Sequence, residues 1–219
     1  MKYIYLIRHS SPFVEIDNYN DYYNVLWSEY NKNMILSTKG EEKAKELTNI
    51  KELHDISNVY SSNSFRAIGT AKYISEFNNT KIKLDDRINE REFGVMYLNQ
   101  LPSDYTEHSF NDKNFKVRNG ESLNDMDKRL NDFISEVLSK NDKTIIVIHG
   151  IILLSFLQNT CEFKFDNGKV YAKYKEKEIV NEKPKSPGVY KITYDNDKIV
   201  DIDVLNWFKN AFKCWYKYT

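Results

Sequence analysis

Two histidines in this sequence come directly after apolar runs, where a polar side chain is most informative about chemistry. His9 follows Arg8 at the end of residues 3–7, and His149 follows residues 144–148. Such runs predict buried strands, and open α/β sheets hold their ligands at the carboxyl ends of these strands. One guanidinium and two imidazoles at that edge suit a phosphoryl group, because they supply positive charge and directed hydrogen-bond donors.

Arg66 is a candidate for the same site. It follows a third apolar run, residues 58–61, through the segment Ser61-Ser62-Asn63-Ser64-Phe65. This order predicts that Arg66 lies in the first turn of a helix, where backbone amides and the helix dipole favour an anion. Ser62 or Ser64 is predicted to cap that helix. Arg66 would then complete a phosphate pocket.

Glu90 is the candidate general acid. Its carboxyl group could donate a proton to a leaving oxygen. Glu92, two residues further on, is its nearest competitor. Arg87 and Arg91 flank Glu90 and could instead hold it in an ordinary ion pair. The sequence leaves both interpretations open.

The composition limits the partners and the location that we expect. The 219 residues include 32 Lys plus Arg and 32 Asp plus Glu, so the chain lacks the usual electrostatic signature of nucleic-acid binding. Its apolar runs fall short of the roughly 20 residues that span a bilayer, so no membrane association is expected. Cys161 and Cys214 lack CxxC spacing and fit a reducing compartment. A cytoplasmic protein is predicted.

The remaining sequence predicts the elements that position these residues. Further strands are expected at 81–84, 161–165, 169–174, 189–194 and 199–204, and helices are expected to start at the capping boxes Thr38 with Glu41 and Ser122 with Asp125. Alternation of strands and helices, followed by antiparallel strands, predicts a three-layer α/β/α sandwich whose sheet is mostly parallel with an antiparallel edge. One domain covering residues 1–219 is expected, with insertions near 11–36 and 95–118 that cap the site.

An ordered set of short motifs makes the sequence resemble the histidine phosphatase superfamily, which has the phosphoglycerate mutase-like fold. The motifs are Arg8-His9, Leu36-Ser37-Thr38-Lys39-Gly40, Ser61-Ser62 with Arg66-Ala67 and Thr70-Ala71, Glu90 with Phe93-Gly94, Gly120-Glu121-Ser122, and His149-Gly150. Any one of them is a weak signal, but the complete set in the expected order is specific.

The resemblance implies a role for each of five residues. His9 would be the nucleophile that forms a phosphohistidine, and Glu90 would be the general acid. Arg8, Arg66 and His149 would hold the phosphoryl oxygens. Phosphoryl transfer mainly needs in-line positioning and stabilisation of negative charge, which two arginines provide without a metal or another cofactor. His9 must attack through a neutral ring nitrogen, so its other nitrogen is expected to donate to a nearby carbonyl.

Ser10 stands where the family usually has glycine. Either the backbone there avoids the φ > 0 region, or the Ser10 hydroxyl joins the phosphate-binding groups. We expect the substitution to tune the activity and not to abolish it. The residues that follow also lack the Asn and Gly-Trp typical of the mutase branch, which favours a phosphatase.

The predicted function is therefore a metal-independent phosphatase that hydrolyses a small-molecule phosphomonoester. The alternatives are a phosphoglycerate mutase that returns the phosphoryl group to a product, and a non-catalytic protein that only binds a phosphorylated ligand. Cations in residues 95–118 would meet a second anionic group on the substrate or would form a solvated loop. An aromatic tail at residues 207–216 would dock on the core or join two copies in a homodimer.

Overall fold

The protein is described here by a computed structural model that covers residues 1–14, 25–140 and 143–205. Its strands are β1 (Lys2–Arg8), β2 (Asn58–Ser61), β3 (Ile82–Leu84), β4 (Lys143–Ile148), β5 (Glu162–Asp166), β6 (Lys169–Tyr174), β7 (Lys177–Glu182), β8 (Gly188–Asp195) and β9 (Lys198–Val204). Its α-helices are α1 (Trp27–Asn33), α2 (Thr38–Glu46), α3 (Phe65–Phe77), α4 (Tyr105–Asn111), α5 (Leu123–Lys140) and α6 (Gly150–Thr160).

The central sheet has the strand order β3-β2-β4-β1-β8-β9. Its first four strands are parallel, whereas β8 pairs antiparallel with both β1 and β9. The prediction of a mostly parallel sheet with an antiparallel edge is confirmed. Arg8 pairs with Ile148 in the register between β1 and β4, so these two strands end side by side. His9 and His149 therefore leave the sheet at the same edge.

Both faces of β1 are covered by helices. Successive side chains of a strand point to opposite faces. Ile4 and Leu6 accordingly pack in one core with α5 and α6, whereas Tyr5 and Ile7 pack in the other core with α3. None of these four side chains is more than 2% exposed. This is the predicted three-layer sandwich, and it holds the ends of β1 and β4 between two cores.

The two predicted capping boxes had different outcomes. Ser122 and Asp125 exchange hydrogen bonds of 3.0 and 3.1 Å at the start of α5, as predicted. The prediction for α2 is wrong by one residue, because Ser37 and not Thr38 is the N-cap. The Ser37 hydroxyl accepts from the Gly40 N–H at 3.0 Å, and Ser37 has the extended backbone that an N-cap requires.

The strand β7 was not predicted. It pairs with β6 after the hairpin that Asn167-Gly168 forms, and it completes a separate antiparallel sheet in the order β5-β6-β7. Its sequence, Lys-Glu-Ile-Val-Asn-Glu, places two apolar residues next to each other and does not alternate. A strand with this pattern gives no period-two signal.

Two segments, residues 25–36 with α1 and residues 95–118 with α4, are here called the cover. They contact each other through the Trp27 N–H, which donates to the Met96 carbonyl at 2.9 Å. The predicted aromatic tail and Cys214 lie outside the described residues. Within those residues, no helix is long and apolar enough to cross a membrane.

Candidate active site

His9 lies at the carboxyl end of β1 with 6% of its surface exposed. Its backbone N–H donates to the Ile148 carbonyl at 2.9 Å, and its Nδ1 lies 2.7 Å from the carbonyl oxygen of Ser10. Because a carbonyl oxygen only accepts, Nδ1 carries the ring proton and Nε2 carries a lone pair. The backbone of the next residue therefore supplies the carbonyl that the sequence leaves unnamed.

Arg66 lies in the first turn of α3, as predicted, and is 3% exposed. Its Nε donates to His9 Nε2 at 3.1 Å, and its Nη2 donates to His149 Nδ1 at 2.9 Å. The first contact agrees with the ring tautomer of His9, since a guanidinium can only donate. A single arginine thus faces the lone pairs of both histidines.

His149 is fully buried at the N-terminus of α6. Because its Nδ1 accepts from Arg66, the proton of its neutral ring is on Nε2, which donates to Ser62 Oγ at 2.6 Å. Ser62 also accepts from the Ser64 N–H at 3.2 Å. Ser64 is the N-cap residue of α3 but makes no side-chain cap hydrogen bond. Ser62 therefore orients His149, a role that sequence reasoning did not assign.

Burial and positive charge keep both histidines neutral. Burial lowers the pKa of His9 to about 3, and the guanidinium groups of Arg66 and Arg8 contribute to that shift. Burial and Arg66 also lower the pKa of His149. The two rings lie with their centroids 5.1 Å apart. A neutral imidazole with one unprotonated nitrogen is the form that a nitrogen nucleophile needs.

Arg8 adds a second guanidinium to this edge of the sheet. Its Nη1 donates to the Pro184 carbonyl at 2.5 Å, whereas its buried Nε has no hydrogen-bond partner among the described residues. A side chain at position 150 would place its Cβ 3.3 Å from Arg8 Nε, so Gly150 leaves room for the guanidinium beside α6. Burial lowers the pKa of Arg8, and the Glu90 carboxylate opposes that shift.

Glu90 lies against the N-terminus of α6. Its two carboxylate oxygens accept from the backbone N–H groups of Ile151 and Ile152, both at 3.2 Å. The Arg91 N–H donates to the same carboxylate at 3.1 Å. Because His149 precedes α6, this arrangement brings Glu90 to the helix end that carries the second histidine. Glu90 thereby joins, from outside the sheet, the group formed by Arg8, His9, Arg66 and His149, which is here called the strand-end pocket.

Neither neighbouring arginine forms an ion pair with Glu90. Arg87 binds Asp85 and Glu136 instead. Arg91 is 3% exposed and donates to two carbonyls and a hydroxyl, namely Glu121 O, Phe115 O and Ser109 Oγ. The ion-pair interpretation of Glu90 is therefore wrong.

Glu92 lies next to Glu121 and not at the N-terminus of α6. The Glu121 carboxylate accepts from the Glu92 N–H at 3.0 Å and pairs with Arg129 at 2.7 Å. Burial, and then the nearby Glu121 carboxylate, raise the pKa of Glu92. Glu92 makes no contact of this kind with α6, so geometry separates it from Glu90 as a candidate acid.

The hydroxyl proton of Ser10 is not directed at His9 or Arg66. Its hydroxyl donates to the Gly40 carbonyl at 2.7 Å, and its N–H donates to Thr70 Oγ1 at 2.9 Å. Its φ is not positive, so a serine fits this backbone without strain. The expectation of a phosphate-binding Ser10 hydroxyl is corrected by this geometry, and Ser10 contributes its carbonyl to His9 instead.

Asn31 of α1 was not predicted as part of the site. Its side-chain Oδ1 accepts from Arg66 Nη2 at 2.8 Å, and its backbone carbonyl accepts from Arg66 Nη1. The cover therefore occupies the two terminal nitrogens with which Arg66 would hold a phosphoryl group. A lone asparagine in a polar, aromatic segment carries no sequence signal for such a contact.

An α/β/α sandwich with paired histidines at the ends of adjacent strands defines a protein of the phosphoglycerate mutase-like class. The family model of the histidine phosphatase superfamily, branch 1, matches residues 4–174. The chain belongs to this superfamily. A curated relative, the probable phosphoglycerate mutase GpmB of Erwinia tasmaniensis, is 26% identical over 168 residues, which are 70% of this chain and 72% of the relative.

Solved structures of this class have the same fold. The mycobacterial glucosyl-3-phosphoglycerate phosphatase in complex with VO3 superposes with a TM-score of 0.68 at 15% identity, covering 94% of this chain and 99% of that one. A phosphoserine phosphatase variant from Entamoeba histolytica in complex with phosphoserine gives 0.60 at 17% identity, covering 92% and 96%. At these identities the likeness concerns the fold alone.

Proposed function

We propose that this protein is a metal-independent phosphatase that hydrolyses a small-molecule phosphomonoester through a phosphohistidine at His9. The observation that carries the proposal is the tautomer of His9. The Ser10 carbonyl holds the proton on Nδ1, and the Nε2 lone pair is directed at Arg66, 3.1 Å away. A neutral nitrogen nucleophile already faces a cation where the phosphoryl oxygens would lie.

The first half-reaction forms the phosphoenzyme. His9 Nε2 attacks phosphorus, the bond to the ester oxygen breaks, and the leaving alcohol takes a proton from the carboxylic acid form of Glu90. In the second half-reaction, water attacks the phosphohistidine, and the Glu90 carboxylate accepts the proton of that water. Inorganic phosphate leaves, and His9 returns to its neutral form.

Two arginines and His149 supply the charge that this reaction needs. Arg8 Nε has no partner among the described residues, and Arg66 would exchange its contacts with Asn31 and with His9 Nε2 for phosphoryl oxygens. His149 accepts from Arg66 in the free protein, so it donates to a phosphoryl oxygen only after its Nδ1 gains a proton. Negative charge on a bound phosphoryl group favours that protonation.

The test is phosphate release from p-nitrophenyl phosphate and from a panel of metabolite phosphomonoesters, with EDTA present. We expect wild type to hydrolyse at least one ester and His9→Ala to lose turnover with an unchanged near-ultraviolet circular dichroism spectrum. His108→Ala is the matched control, because His108 is an exposed histidine that stacks on Phe115 in the cover. Equal turnover by wild type and His9→Ala would refute the nucleophile assignment.

A mutase is the second candidate, because the curated relative is a probable phosphoglycerate mutase. The same pocket would serve it if the phosphoryl group on His9 returned to a hydroxyl of the product and not to water. Product analysis separates the two functions. Inorganic phosphate as the main product supports the phosphatase, whereas isomerised phosphoglycerate with little free phosphate supports the mutase.

We further propose that the enzyme acts in the cytoplasm on a soluble phosphorylated metabolite, without a nucleic-acid partner. The zero net charge and the cysteine usage support this proposal. Subcellular fractionation with an activity assay tests the location. Size-exclusion chromatography with light scattering would show whether a homodimer forms.

A further inference from the structure

A cavity of about 340 Å³ lies beneath the cover, bounded by residues of α1, α4, α5 and α6. Most of its wall consists of apolar and aromatic side chains. Those in the cover include Trp27, Leu98, Tyr105 and Phe110, and those outside it include Phe93 and Leu123. A volume of this size falls within the usual range for small-molecule sites, which is about 300–1,000 Å³.

The cavity adjoins the candidate acid. Its wall includes Ile151, whose backbone N–H donates to the Glu90 carboxylate at 3.2 Å, and Arg91, the residue that follows Glu90. A leaving alcohol that takes its proton from Glu90 therefore has its oxygen close to the part of the cavity wall that Ile151 and Arg91 form. The cavity is in the right place for the part of the substrate that is not phosphate.

Most N–H groups of the charged residue in the cavity wall already donate to the protein. Arg91 is its one charged lining residue among those described, and its three hydrogen bonds go to neutral acceptors of the protein. Lys113 donates to Asn159, and Lys116 donates to Asp125, so neither of these cover lysines lines the cavity.

The walls instead suit an apolar ring. Trp27 and Phe93 have their ring centroids 5.7 Å apart, and Phe93 and Tyr105 have theirs 5.6 Å apart. An apolar cavity of about 150 Å³ is large enough to bind benzene, so this one has room for one ring or two. Three aromatic side chains at such spacings offer the edge and face contacts that aromatic ligands prefer.

We propose that this cavity binds the leaving alcohol and selects phosphomonoesters whose alcohol carries an apolar, ring-bearing group. This inference rests on the proposed phosphatase function and adds the substrate class to it. Phosphate would sit at His9, the ester oxygen near Glu90, and the ring among Trp27, Phe93 and Tyr105.

The experiment compares 2-phenylethyl phosphate with ethyl phosphate and with the phosphate ester of 3-hydroxypropanoate. All three are esters of primary alcohols, so differences in kcat/KM report mainly on the cavity. We expect 2-phenylethyl phosphate to exceed the other two at least tenfold, because burial of a phenyl ring is worth about a factor of ten or more in binding. A higher kcat/KM for the carboxylated ester would overturn the proposal.

Thr106→Trp is the test variant, because Thr106 is an exposed residue of α4 that lines the cavity. The indole would fill the cavity from its rim, so the ratio of kcat/KM for 2-phenylethyl phosphate to kcat/KM for ethyl phosphate should fall at least fivefold. Glu107→Trp is the matched control, since Glu107 is the next exposed residue of α4 and does not line the cavity. An unchanged preference in Thr106→Trp would overturn the proposal.

Failure of this proposal can be distinguished from failure of the proposed function. Hydrolysis of all three esters at equal kcat/KM would leave the phosphatase in place and remove the cavity as its specificity site. If none is hydrolysed, calorimetry with wild type decides. Tighter binding of 2-phenylethyl phosphate than of ethyl phosphate, lost in Thr106→Trp, would support the cavity, and equal affinities would overturn it.

Discussion

The strand-end pocket and the cover are held in place in different ways. Arg8 ends β1, and His9 and His149 follow the adjacent strands β1 and β4. Each of the three is fixed by backbone groups or by a buried side chain. The cover contains the seven-residue helices α1 and α4, and α1 reaches the pocket through Asn31. The candidate catalytic residues thus lie at the ends of sheet strands, whereas the cavity that would select substrates is lined largely by short helices and loops.

Because the strand-end pocket and the cover are held differently, we expect them to affect different properties of the enzyme. A pocket held at strand ends keeps its geometry when the rest of the substrate changes, so one reaction can serve many esters. A cover of short helices and loops lies outside the sheet and can change its shape and composition with less effect on the strands. Substitutions in the pocket should therefore alter turnover of every substrate, and substitutions in the cover should alter the ranking of substrates.

After the loss of turnover expected for His9→Ala, the largest effect is expected for Glu90→Gln in the pocket. An amide cannot protonate a leaving oxygen, so kcat/KM for alkyl phosphates should fall about 100-fold or more. p-Nitrophenyl phosphate should lose much less, because p-nitrophenolate leaves without a proton. Steady-state kinetics on both esters measure the difference between the two losses.

Glu92→Gln is the matched control for the acid, because it changes a carboxylate two residues away that does not contact α6. We expect it to retain most of the activity on both esters. A selective loss on alkyl esters in Glu92→Gln, with little change in Glu90→Gln, would move the acid role to Glu92.

A smaller effect is expected on the pH dependence of stability. An unfolded histidine gains a proton near pH 6.5, whereas folded His9 stays neutral down to about 3, so the unfolded chain binds more protons between these values. The free energy of unfolding should therefore fall as the pH drops below 6.5. Each such histidine contributes about 1.4 kcal/mol per pH unit to that fall.

Urea unfolding at pH 7.5 and pH 5.5 tests this expectation. His9→Gln should lose about 1.4 kcal/mol less than wild type between the two conditions, because one of the two buried histidines is gone. His108→Gln, which changes an exposed histidine, should behave like wild type. The same fall in His9→Gln as in wild type would show that His9 does not stay neutral.

The smallest effect is expected at the contact between the two regions. In the proposed reaction Arg66 releases Asn31 Oδ1 before it binds a phosphoryl oxygen, so Asn31→Ala should tighten competitive inhibition by inorganic phosphate about threefold. Asn33→Ala, an exposed position at the end of α1, is the control. Weaker inhibition in Asn31→Ala would mean that Asn31 orients Arg66 and does not compete with phosphate.

The sequence predicts the strand-end pocket well because its residues are tied to regular elements. Apolar runs locate β1 and β4, parallel strands end at one edge, and His9 and His149 follow those ends. The position of Arg66 follows in the same way from the start of α3. Each of these inferences depends on a local sequence pattern, either an apolar run or the residues at the start of a helix.

The remaining features depend on contacts between distant parts of the chain. The Ser10 hydroxyl donates to Gly40, thirty residues away, and Arg66 meets Asn31 of α1. The cavity combines Trp27 with residues from 91 to 151. No local pattern specifies such contacts, so the sequence suggests candidates for the cover but neither its geometry nor the apolar character of its cavity.

The central place of β1 has a consequence for how the enzyme is made. This strand is translated before β2–β9, yet it lies between β4 and β8, which are translated far later. Its apolar side chains therefore stay exposed until those sheet partners have been translated. Nascent chains with exposed apolar strands are prone to aggregate and are bound by chaperones. His9, at the end of β1, acquires its surroundings only when β8 has been translated, so phosphatase activity would report on chains whose synthesis has passed that strand.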